Sequence, residues 1–124
     1  NGLINKIGVS LHSNEEIFEV LKNDNINLIQ LPFNLLDNSS QRKEVLIKAK
    51  SKGIEVHTRS VFLQGLFFQD SNQIEGKLLE IKEDLNLIKG IVGKEDMNDL
   101  ALNYAYIMLI TAFVCTGMIM DAEV

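Results

Sequence analysis

Two kinds of segment alternate along the chain. The short apolar or β-branched runs KIGVSLHS and INLIQLPF are each followed by a stretch whose apolar residues recur at helical spacing. Ser13 with Glu16 reads as a capping box, since the hydroxyl can accept from the Glu16 amide while the carboxylate reaches back to the Ser13 amide. Ile17, Val20 and Leu21 then supply one apolar face, which predicts a helix of about ten residues. After the second run Asn38, Ser39 and Ser40 offer N-caps, Val45, Leu46 and Ala49 form the next stripe, and Gly53 is the stop. IEVHTRSVF, beginning at Ile54, reads as a third strand. LQGLFFQDSNQ follows as a long polar-tipped connection, and Ile74, Leu78, Ile81, Leu85 and Ile88 trace a third helix. A further helix is expected to begin near Glu95 or Asp96, where acidic residues favour the positive end of the helix dipole.

From Leu100 to Met120 no side chain is charged, and that length permits a membrane span. A different division fits the pattern better. From Met97 to about Leu109 the apolar positions Met97, Leu100, Ala101 and Ala105 keep helical spacing, whereas TAFVCT, residues 111–116, suits a strand buried on both faces. Asn103 and Gly117 inside the run, and Asp99 and Asp121 rather than basic residues beside it, weigh against the membrane reading.

The expected order is thus βαβαβα(α)β with continuous apolar strands, the pattern of a parallel α/β sheet. Four such units make either a small doubly wound sheet or half of an eight-stranded barrel. With 124 residues, 46% hydrophobic, 23% charged and one proline, the chain reads as a single folded domain, residues 1–124. Its formal charge of −5 argues against sequence-independent nucleic-acid binding, which needs lysine and arginine to displace counterions. Cys115 is the single cysteine, which rules out an internal disulfide and a multi-thiolate zinc cluster and makes the cytoplasm the expected address. Asn1 stands first and NGLINKIG lacks the regions of a secretory signal, so an excerpt from a longer polypeptide is expected.

Ligands of parallel sheets bind at the C-terminal ends of the strands. Ser10 and His12, Gln30 and Asn34, and Arg59, Ser60 and Gln64 fall at those ends, as a crevice of hydrogen-bonding groups or simply as solvated loops. His12 and His57 are the only histidines, which gives a multi-histidine metal site or a histidine triad little material. His57, in an alternating strand, reads as a packed or surface side chain rather than a base. Cys115, among apolar neighbours, reads as an inert buried thiol. The lysines at 48, 50 and 52 read as the solvated face and end of a helix. Neither GxGxxG nor a Walker A motif occurs.

IGVSLHS, IQLPFNLLD, GIEVHTRSVFLQGLF and DLALNYA, in that order, resemble the second half of the aldo-keto reductases, and the similarity covers nearly the whole chain. The resemblance implies parallel (β/α) repeats forming half of a TIM (β/α)8 barrel, strands five to eight, with hydride transfer between NADPH or NADH and a small carbonyl or alcohol substrate. Ser10 and Gln30 match residues that hold the nicotinamide carboxamide, although Leu11 stands where many members have a partner asparagine. Arg59 stands where many place an aromatic ring against the nicotinamide. Ser60, Gln64 and Gly65 match the loop that passes the pyrophosphate, and Gly117 the glycine after the eighth strand. The following MIMDAEV lacks the residue that usually grips the adenosine phosphate, so NADP is not favoured over NAD. The family's tyrosine, lysine, aspartate and histidine belong to its first four strands, so the chain alone is expected to be inactive, with no catalytic residue assigned and no metal ligand. A half-barrel has two open edges, which implies a partner: the N-terminal half-barrel or a second copy of the chain.

Overall fold

Capping and burial decide where the elements start. The computed structural model describes residues 2–93 and 96–114. Strand β1 (Gly8–Ser10) leads to helix α1 (Asn14–Val20), whose capping box is complete: the Glu16 amide donates to Ser13 Oγ at 3.2 Å and the Ser13 amide to Glu16 Oε2 at 3.1 Å. Ile17 and Leu21 turn inward from it, both essentially buried. Strand β2 (Leu28–Pro32) precedes α2 (Ser39–Ser51), capped by Asn38, whose Oδ1 accepts from the Ser40 amide at 3.0 Å. Helix α2 ends two residues before Gly53, whose φ of +69° suits a glycine alone at low cost. Strand β3 (Glu55–Arg59) follows.

The three strands form a parallel sheet in the order β1-β2-β3, with Ser10 beside Gln30 and Gln30 beside His57. Side chains alternate across it. Ile29, Leu31 and Phe33 are fully buried under α1 and α2 together with Val45, Leu46 and Ala49. The opposite face carries Gly8, Ser10, Gln30, His57 and Arg59 and has no layer over it among the described residues. Mixed α/β architecture with a small parallel sheet is therefore what the described residues form, and three strands, rather than four, are present among them.

Beyond β3 the chain departs from the expected pattern. The predicted open connection is built of 3-10 turns, Leu63–Phe68 and Ser71–Gln73, because Leu66 and Phe67 are buried and pull it onto a second core with Ile74, Leu85, Met97 and Ala101. The third helix is divided as well: Gly76–Ile81 is 3-10 and only Lys82–Val92 is α-helical, here α3. Its expected start at Ile74 fails because Gly76 has a φ of +64°.

Helix α4 runs from Met97 to Val114. The strand expected at 111–116 is overturned at 111–114, which are helical, while Cys115 and Thr116 lie outside the described residues. The physical reason is that no glycine or proline interrupts residues 97–114, and β-branched residues lose only a few tenths of a kcal/mol in a helix, too little to end one already propagating. Among the described residues no helix is long and apolar enough to cross a membrane.

Candidate functional site

Side-chain parity gathers the polar residues on the open face. Ser10 ends β1 and Gln30 lies in mid-β2, both on the side away from the helices, and Ser10 Oγ donates to Gln30 Oε1 at 3.1 Å. This bond occupies the Ser10 proton and the Gln30 carbonyl, and leaves the Gln30 amide as a donor and the Ser10 oxygen as an acceptor. His57 completes the row on β3, half exposed, with Nε2 2.7 Å from Glu55 Oε1. Glu55 also pairs with Lys6. These two partners, the Lys6 hydrogen bond first, hold the Glu55 carboxyl below the usual carboxylate range. Of the two positions expected for His57, packed or surface, the structure shows the surface one, and its carboxylate partner lies two residues away on the same strand face, where period-two alternation places it.

At the C-terminal edge the Arg59 guanidinium crosses over β2. Its Nη2 donates to the Leu11 carbonyl at 3.3 Å and lies 3.0 and 3.2 Å from the two ring nitrogens of His12. Arg59 Nε is buried and has no partner. Glu16, beside His12, is occupied by backbone: the His12 amide donates to its Oε2 at 2.9 Å, and with the Ser13 amide this holds the carboxyl below its usual range.

Ser60, Gln64 and Gly65 belong to one turn. Ser60, Leu63 and Gln64 all have positive φ, at 61°, 49° and 55°, and Gly65 follows at 84°. A left-handed bulky residue such as Leu63 costs on the order of 1–2 kcal/mol, and strain of this kind gathers at ligand-binding turns. Ser60, Gln64, Leu66, Gln69 and Leu78 line a cleft of about 380 Å³ beside the turn. Asn34, expected in the crevice, is instead structural: it is 1% exposed, donates through Nδ2 to the Ser60 carbonyl at 3.2 Å, and accepts the Leu36 and Asp37 amides through Oδ1. Gly117 lies outside the described residues.

The expectation for the helix lysines holds for Lys48, which is exposed, and for Lys52 at the C-terminal end of α2, and fails at Lys50. Lys50 is 4% exposed, and burial pushes its ammonium down to about 8 against a weaker opposing pull from the Glu55 charge. Lys52 donates to the Leu21 carbonyl and pairs with Asp24 at 3.0 Å, so it ties α2 to the turn after α1. A cluster that sequence reading missed lies between α1 and α2: Arg42 forks onto Asp37 with two 2.7 Å bonds and reaches Asn14 Oδ1 at 2.8 Å. Its members are 28 residues apart at the extreme, and no local pattern links them. Among the described residues no group of three or more histidine, cysteine, aspartate or glutamate side chains is arranged to hold a metal ion.

The Ser10–Gln30 pair sets one donor, the Gln30 amide, beside one acceptor, the Ser10 hydroxyl, a combination that can pair with a ligand amide. No protein-family model, no curated protein and no solved structure matches this chain.

Proposed function

We propose that the chain supplies the nicotinamide-nucleotide side of an aldo-keto reductase-like oxidoreductase, with strands β1 to β3 as the fifth to seventh strands of a (β/α)8 barrel. The observation that carries this reading is the Ser10–Gln30 pair, two hydrogen-bonded side chains in register on the open face of a parallel sheet. NADH or NADPH would bring the hydride. Ser10 and Gln30 would orient the carboxamide and so select which face of the ring meets the substrate, and the strained turn at Ser60, Gln64 and Gly65 would run beside the pyrophosphate.

The proton that accompanies the hydride has no donor on this face from either tyrosine of the chain. Tyr104 stacks on Phe33, ring centroids 5.9 Å apart, on the helix side of the sheet, and Tyr106 is exposed on α4. In this reading the acid comes from an N-terminal half-barrel of the same protein. Titrating the chain with NADH and with NADPH, followed by nicotinamide fluorescence, tests the assignment. Gln30→Ala should weaken binding by about tenfold, the loss of one or two hydrogen bonds. Unchanged affinity would remove Gln30 and the carboxamide site from the argument.

A second reading is favoured by the strand order. Among the described residues β1 and β3 are both edge strands, which suits a non-catalytic half-barrel that pairs with a second copy of itself. Sedimentation of the chain with and without NADH separates the two, because this reading expects a dimer indifferent to nucleotide.

A further inference from the structure

Arg59 is an arginine without a carboxylate. Among the described residues its guanidinium hydrogen-bonds through Nη2 alone, to a backbone carbonyl and to the His12 ring, and it enters no salt bridge. A guanidinium carries its charge at every accessible pH and presents donors in a fork that matches two oxygens of one anion. Its Nε is buried with no acceptor, so the donors of the guanidinium are only partly satisfied within the fold. His12, brought from 47 residues away, adds a second group able to donate to an anion at the same edge of the sheet. Glu16, the carboxylate that the His12 amide contacts, is already committed to the His12 and Ser13 amides. In a chain of net charge −5 this pair of basic side chains stands against the overall sign.

We propose that Arg59 and His12 form an oxyanion subsite that holds the carboxylate or phosphate of the substrate, so that the substrate is an acidic carbonyl compound or the matching hydroxy acid. The acceptors that Arg59 now uses, the Leu11 carbonyl and an imidazole nitrogen, are weaker partners than an oxyanion, which the terminal guanidinium nitrogens can hold in charge-assisted bonds. The subsite lies at the C-terminal edge of the strands, the edge where ligands of parallel sheets bind, and two residues along β3 from His57. The assignment of the anion to substrate rests on the oxidoreductase reading above; the anion site itself does not.

The test uses the Cε1–H signal of His12, assigned by its loss in His12→Gln, while inorganic phosphate or acetate is added to the whole protein at constant pH and ionic strength. Saturable movement of that signal is expected with one or both probes. Arg59→Met should weaken it by about tenfold or more, the worth of one charge-assisted hydrogen bond, and Arg59→Lys should keep a weaker saturable response. Circular dichroism reports whether each variant is folded, and the Arg59→Lys result decides the matter if Arg59→Met is not. No saturable movement, or movement of equal strength in the folded Arg59 variants, overturns the subsite. Repeating the titration with NADH present separates the sources: an anion that binds alongside NADH belongs to the substrate, whereas competition assigns Arg59 and His12 to the cofactor phosphates and overturns the substrate assignment. Anion binding in a protein that does not bind NADH would overturn the oxidoreductase reading and leave the subsite standing.

Discussion

Asp37 and Arg42 show how much a single side chain can carry in a small fold. The Arg42 side chain is 9% exposed and spends its fork on Asp37, which is 28% exposed. Removing the carboxylate leaves a buried cation with Asn14 as its remaining side-chain partner, so Asp37→Ala should cost about 3 kcal/mol, the lower end for a broken buried pair because Asp37 keeps some water. Replacing both, as in Asp37→Ala with Arg42→Met, should recover part of that loss, since the desolvation of the cation goes with it. Urea unfolding of the three variants measures this, and a loss below about 1 kcal/mol for Asp37→Ala would show the pair to be ordinary surface charge. Some residues of this kind were legible and others were not. Ser13 and Glu16 announced their capping box three positions apart, whereas Arg42, Asp37 and Asn14 meet only because α1 and α2 pack side by side, which no local spacing encodes. Ser10 and Gln30 fell between these cases: both were named at strand ends, but their contact depends on the register of β1 against β2.

Helices and strands differ in how openly the sequence declares them. Elements α1, β2 and α2 were legible because caps, stripes and a terminal glycine agree with one another, and agreement across levels is what lets a local segment choose one structure. Helix α4 was misread after Leu109 because β-branched residues bias weakly and an uninterrupted helix outweighs that bias. The 3-10 turns after β3 were illegible for another reason, since their shape follows from the burial of Leu66 and Phe67 and from left-handed residues that carry no sequence mark except Gly65. The two cores that these elements build meet at Val61, which packs against both. Leu46 lies in the first and Leu85 in the second, each 1% exposed or less, so Leu46→Ala and Leu85→Ala should each cost about 2–5 kcal/mol. Because Val61 joins the cores, both variants should unfold in one transition. An early transition in Leu85→Ala that leaves protected amides in β2 and α2 would show that the cores fold separately.

Charge links the sheet to the stability of the molecule as a whole. Lys50, on α2, lies near enough to Glu55 at the start of β3 to feel its charge, yet burial dominates and brings the ammonium from an ordinary 10.5 to about 8. The sign follows from proton counting. Below pH 8 both folded and unfolded chains hold the Lys50 proton, and the folded chain bears the full cost of burying the charge. Between 8 and 10.5 the folded chain has released the proton while the unfolded chain still binds it, so stability rises with pH across that window. Glu16 and Glu55 act in the opposite range: their carboxyls lie below the ordinary 4.5, so each contributes stability above that value that is lost as pH falls through its folded value. Urea midpoints measured from pH 7 to 10.5 should therefore climb above pH 8 in the native chain. Lys50→Met, which keeps most of the buried stem and removes the charge, should be more stable than the native chain at pH 7 and should flatten the climb. Parallel slopes in the two proteins would mean that the Lys50 ammonium is solvated in the fold, and the tie between α2 and β3 would then rest on packing alone.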